Sequence, residues 1–278
     1  MRAEDRLSGP NIDAEDRLSG PNIDAEDRLS GPNIDAEDRL SGPKIDADRS
    51  DPATPAAVMW DMDGTLVDSE KVWTVSLVDT ARWLGGELSA RAREDMVGSN
   101  MARTLRLMFD DLGLEHDPVR MAQAEQWMTA RTGELFAAGL EWRPGALEAL
   151  RMVRAAGWPT ALVTNTGRAL TEMALESIGR EHFTVSVCGD EVPHGKPAPD
   201  PYLRGAELLG VEPQECLAVE DSPTGSLAAE RAGTAVLVVP CEVPVPAGPR
   251  RIHRASLVGL TPRDIVDGYA QAQGERVA

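Results

Sequence analysis

Five short apolar runs punctuate the chain, at residues 56–60, 160–163, 183–187, 216–219 and 234–239. Each has the length of a strand and stays apolar along most of it, as strands buried on both faces of a parallel sheet do. Between the later runs, apolar positions recur at helical spacing over 144–156, 168–178, 200–209 and 223–232. Strand and helix in alternation predict an α/β fold, a parallel sheet with helices on both faces. The first connection breaks the rhythm, because the stretch from 61 to 160 far exceeds the roughly 30 residues of a βαβ unit. It has helical patterns at 70–84, 90–96, 101–112 and 118–138 and no convincing strand. The expected division is a sheet core at 56–67 and 143–278, with a small helical domain at 68–142 inserted after the first strand. Trp73, Trp83, Trp127 and Trp142 fall in or beside that insertion, where burial is the ordinary fate of a tryptophan.

The N-terminal part is different in kind. Residues 3–46 are four tandem copies of an eleven-residue unit, AEDRLSGPNID, the last carrying Lys44 in place of Asn. Every copy contains Gly-Pro, which rules out a continuous coiled coil, and only one Leu and one Ile per unit are available to offset chain entropy. Residues 1–55, repeats plus linker, are therefore expected to be a disordered tail, a solvated remnant of duplication or a docking segment for a protein partner.

Composition narrows the functional classes. The chain has 278 residues, 28 basic against 46 acidic side chains, and a net charge of −18. That balance argues against nucleic-acid binding, which needs clustered Lys and Arg. Three widely separated cysteines show neither zinc-site nor disulfide spacing, and the N-terminus has no apolar stretch suited to a signal or a membrane span. A soluble, reduced, cytoplasmic monomer is the expectation, with no membrane contact.

In open α/β sheets ligands bind beyond the carboxyl ends of the strands. The residues at those ends form a coherent set. The first run ends in Asp61-Met62-Asp63-Gly64-Thr65 and the second in Thr164-Asn165-Thr166. The third leads to Gly195-Lys196-Pro197 and the fourth ends in Glu220-Asp221. Each motif alone has a bland explanation as a turn or helix cap. Together they bring carboxylates, a hydroxyl, an amide and one ammonium to one mouth, a set suited to Mg²⁺ and a phosphoryl group. Lysine is otherwise scarce: Lys44, Lys71 and Lys196 are the only three among the basic residues.

DMDGTLVDSE, VTNT, GKPAPDPY and VEDSPTG resemble the four sequential motifs of the haloacid dehalogenase-like hydrolases, in particular the helical-cap phosphatases and the β-phosphoglucomutase-like branch. The resemblance covers about 58–239. It implies a Rossmann-like core with an inserted α-helical cap, Asp61 as nucleophile, Asp63 as general acid and base, and Lys196 as charge neutraliser. It also implies Mg²⁺ held by Asp61, the backbone carbonyl of Asp63 and Asp221, with Glu220 acting through water. Thr164, Asn165 and Lys196 would hold the phosphoryl oxygens. Asp63 argues against dehalogenation, and Trp73 stands where mutases of this type place a histidine. The leading expectation is a phosphatase for a small phosphorylated metabolite such as a phosphosugar, ahead of a phosphosugar mutase and of a non-catalytic binding module recruited through the tail. Gly98, Ser99 and Trp73 are the candidates for substrate selectivity.

Overall fold

The computed structural model describes residues 53–96, 99–241 and 243–274. The expectations for the repeats, and the selectivity assignment of Gly98, lie outside those residues. Among the described residues six strands form one sheet: β1 (Ala57–Trp60), β2 (Thr160–Val163), β3 (Val185–Val187), β4 (Cys216–Glu220), β5 (Ala235–Val238) and β6 (Arg251–His253). Their order is β3-β2-β1-β4-β5-β6 and every pairing is parallel. The α/β expectation holds.

Among the described residues five helices lie between β1 and β2. Four of them form the insertion, α1 (Glu70–Leu84), α2 (Ala90–Met96), α3 (Met101–Asp111) and α4 (Pro118–Ala137), and the fifth, α5 (Ala146–Ala155), leads back into β2. After β2 come α6 (Arg168–Ile178), α7 (Asp200–Leu209), α8 (Pro223–Ala232) and α9 (Pro262–Ala272). The twofold alternation of the strands divides the core between the two sheet faces. Val58, Trp60, Leu162, Leu217 and Val219 pack with α5, α6 and α9. Ala57, Met59, Ala161, Val163 and Ala218 pack with α7 and α8, whose small residues Ala206, Ala228 and Ala229 let the helices come close. Both faces are buried under helices, which is why the strands read as unbroken apolar runs.

The helices α1–α4 close over a core of their own, including Leu84, Met96, Leu105, Met108, Phe109 and Met128. The chain leaves the sheet unit and returns to it along two adjacent crossings. Asp68 N–H donates to the Glu141 carbonyl (2.8 Å) and Arg143 N–H to the Leu66 carbonyl (2.8 Å), while Val67 bridges Trp142 antiparallel. Among the described residues no helix is long and apolar enough to cross a membrane.

Candidate active site

After β1 the chain runs one way, to β2 and β3; it then crosses back to build β4, β5 and β6 on the other side. The crevice beyond the ends of β1, β2 and β4 is the switch point of the sheet, where ligands of such folds bind. Asp61, Thr164 and Asp221 each stand one residue past one of those strands.

The turn after Asp61 is closed by backbone bonds from Leu66 and Val67 to the Met62 carbonyl (3.0 and 3.1 Å). Gly64 within it has φ +83°, and a Cβ there would strike the Asp221 carboxylate. A glycine is therefore required both for the turn and for the approach of Asp221. Thr65 Oγ1 donates to Asp221 Oδ1 (3.0 Å), tying this turn to the end of β4.

Lys196 is the centre of the arrangement. Its ammonium donates to Asp61 Oδ1 (2.6 Å), Glu220 Oε1 (2.6 Å) and the Val163 carbonyl (2.8 Å), so all three of its protons are placed. Burial opposes its charge, but Asp61 and Glu220 outweigh that and hold its pKa above the ordinary lysine value. The loop bearing it is clamped by Asn165: the Lys196 N–H donates to Asn165 Oδ1 (2.7 Å) and Asn165 Nδ2 donates to the Lys196 carbonyl (3.1 Å). The side-chain amide of Asn165 thus serves the Lys196 loop. Tyr202, wholly buried on α7, donates from its hydroxyl to the same Glu220 oxygen (2.6 Å) and sets its ring under the ammonium, 5.1 Å from Nζ.

Asp63 is held by four donors. Ser69 Oγ (2.7 Å) and Trp73 Nε1 (2.9 Å) reach Oδ1; Thr166 Oγ1 (2.7 Å) and Thr164 Oγ1 (3.2 Å) reach Oδ2. Two of the four, Ser69 and Trp73, come from the start of the insertion, so this carboxylate joins the two parts of the molecule. Sequence reasoning picked out Asp63 and Trp73 separately but not their contact, and it missed Tyr202, Ser69 and the role of Thr166. All three lie inside the quoted motifs; which way each side chain turns is a tertiary outcome.

Asp61, Glu220 and Asp221 offer carboxylate oxygens within 4.8 Å of one another. Burial raises the Asp61 carboxyl well above the usual carboxylate range; Lys196 pulls it down, while Glu220, Asp221 and Asp63 push it up. Burial also drives Asp221 up to about 7, aided by Glu220 and opposed by Thr65 and Lys196. Three crowded carboxylates against one ammonium leave an excess of negative charge, and hard oxygen donors of this kind fit Mg²⁺. Glu220 enters with Oε1 already taken by Lys196 and Tyr202, and with Oε2 3.3 Å from Ser222 Oγ.

A cavity of about 210 Å³ opens over these groups, lined by Asp61, Asp63, Thr164, Lys196 and Asp221 on the sheet side. Trp73 and Ser99 line its other side. His194 is turned to the surface, where Nδ1 lies 3.2 Å from Asp200.

Known proteins resemble this chain over much of its length. A probable pseudouridine-5'-phosphatase of Drosophila melanogaster is 34% identical over 191 residues, which are 66% of this chain and 80% of that protein. Hexitol phosphatase A of Escherichia coli (strain K12) is 30% identical over 212 residues, 72% of this chain and 88% of that protein. The crystal structure of CbbY from Rhodobacter sphaeroides in complex with phosphate superposes with a TM-score of 0.64 at 27% identity, covering 74% of this chain and 96% of that one. Residues 55–233, which carry every strand-end group described above, match the haloacid dehalogenase-like hydrolase family, and the chain belongs to it.

Proposed function

We propose that this chain is a Mg²⁺-dependent phosphatase of a small phosphomonoester, a phosphosugar or related metabolite, working through an aspartyl-phosphate on Asp61. The observation that carries the reading is the convergence on one point of Asp61, Asp221 and a lysine whose three protons are all placed. Asp61 keeps Oδ2 for the attack, since Lys196 occupies Oδ1. The Asp61–phosphorus bond forms as the ester P–O bond breaks, and Asp63 gives the leaving oxygen a proton. Water then attacks the acyl-phosphate, with Asp63 taking the water's proton, to release inorganic phosphate and restore Asp61. Asp63 accepts four hydrogen bonds, the arrangement of the base, so acting as acid requires exchange of one of them. Lys196, its three protons already committed, neutralises charge beside the phosphoryl group. Backbone N–H groups after Asp61 and Thr164 hold the phosphoryl oxygens, and the Thr164 hydroxyl joins them only by giving up its bond to Asp63. Asp61, the Asp63 carbonyl and Asp221, with Glu220 behind them, would hold Mg²⁺, which supplies charge neutralisation.

We take residues 68–142 as a cap on the catalytic unit, moving at the paired crossings 66–68 and 140–143 to exclude water. Trp73 is the clearest argument against a mutase. The indole nitrogen only donates, and here it donates to Asp63, so it cannot accept a proton from a sugar hydroxyl as an imidazole would. The test is phosphate release from phosphorylated metabolites, with and without chelator, by the wild type and by Asp61→Asn. Turnover should vanish with chelator and in the variant; a rate that survives either one sinks the mechanism.

A further inference from the structure

The two sides of the cavity differ in chemistry. The sheet side is polar, whereas Trp73, Leu77, Met96, Met101 and Met128 face the cavity from the inserted helices, and Leu170 from α6. Every one of the four inserted helices contributes at least one apolar side chain to this wall. Polar atoms are few along it: Trp73 Nε1 is bound to Asp63, and the Ser99 and Thr104 hydroxyls pair with each other. Exposed polar side chains, Glu70, Thr74 and Arg93, lie at the mouth. The indole is fixed at its nitrogen by Asp63 and at its ring by an edge-on contact with Phe136 (6.1 Å, 82°).

A polyhydroxylated leaving group could find partners at the mouth, but against the deeper apolar wall it would give up water for few hydrogen bonds, which is costly. A flat ring would bury its faces against the indole and the three thioethers, which adapt to aromatic surfaces. Resting on the phosphatase reading above, we propose that the substrate is a ring-bearing phosphomonoester, of the nucleoside 5'-monophosphate kind. Its ring lies on the Trp73–Leu77–Met101 wall and its polar edge meets Arg93 at the mouth.

Ribose 5-phosphate and uridine or cytidine 5'-monophosphate share the sugar and the phosphate and differ at the ring, so they isolate the claim. With Asp61→Asn protein and Mg²⁺, calorimetry should find the nucleotides binding about tenfold or more tightly than ribose 5-phosphate. Leu77→Asn, and separately Met101→Gln, should bring that ratio towards one while leaving the affinity for ribose 5-phosphate near that of the parent, with thermal scans confirming that each variant is folded at the assay temperature. Equal or weaker binding of both nucleotides overturns the proposal, as does a ratio that neither wall substitution changes. Wild-type turnover reports separately on the parent reading. If no ester releases phosphate while the ring still tightens binding, the hydrolytic mechanism fails and the ring pocket stands.

Discussion

Tyr202 shows how a side chain that touches no substrate can set the chemistry. Its hydroxyl and the Lys196 ammonium share Glu220 Oε1, each at 2.6 Å, in a wholly buried setting. Burial and the carboxylates Glu220 and Asp61 push the phenol well above its ordinary pKa, so it stays protonated and keeps donating. With two donors on one oxygen, Glu220 is fixed and Lys196 is aimed at Asp61. Tyr202→Phe removes one donor from a buried carboxylate and should cost about 1–3 kcal/mol of stability. It should lower kcat by about tenfold with little change in KM, because the positioned ammonium matters most as charge moves onto the transferring group. Urea denaturation and steady-state kinetics check the two parts; an unchanged kcat would show that Tyr202 only fills space. The residues one step past a strand, Asp61, Thr164 and Asp221, were legible in the sequence because topology alone carries them to the crevice. Tyr202 and Ser69 were not, because their roles depend on which face of a helix or turn points inward.

At the scale of the element, the start of α8 is the tightest fit in the site. Ser222 caps the helix by accepting from Gly225 N–H (3.0 Å), and a Cβ on Gly225 would run into the buried carboxylate of Glu220. Gly225 sits in a helix, where alanine is ordinarily better by about 1 kcal/mol. Gly225→Ala should nonetheless destabilise, by about 1–3 kcal/mol, and should sharply reduce turnover by displacing Glu220 from Lys196. Denaturant midpoints decide it: a gain in stability would mean that the helix start is looser than drawn. Elsewhere the legibility of elements follows burial. Strands β1, β2, β4 and β5 are wholly buried and stood out as apolar runs. Strand β6 did not, because it is three residues at the sheet edge with Arg251 and His253 around a single Ile252. Helix α9 carried a readable start, a Thr261–Asp264 capping box with Pro262 in its first turn, and an apolar stripe through Ile265, Tyr269 and Ala272, yet it fell outside the helices expected from the sequence.

For the molecule as a whole, the crowding of acid around Asp61 is a stability cost that a bound cation should relieve. Asp221 rises from its usual 3.8 to about 7 when buried beside Glu220. Between those values the metal-free folded protein binds more protons than the unfolded chain. The contribution of this group is therefore fully present below about pH 4 and is lost as pH rises through about 7. The Asp61 carboxyl, raised in the same direction, adds to the trend. Mg²⁺ bound here would need these oxygens ionised, so protons and metal would compete for the same site. Binding to the folded form alone stabilises by about 2.7 kcal/mol at a hundredfold excess over Kd. At one fixed Mg²⁺ concentration, the rise in melting temperature on adding metal should be larger at pH 8 than at pH 6, and it should be abolished in Asp61→Asn/Asp221→Asn. Thermal scans at both pH values, with matched ionic strength, read this out without turnover. A shift that is equal at the two pH values, or that survives the double substitution, would place the cation elsewhere on this strongly acidic surface.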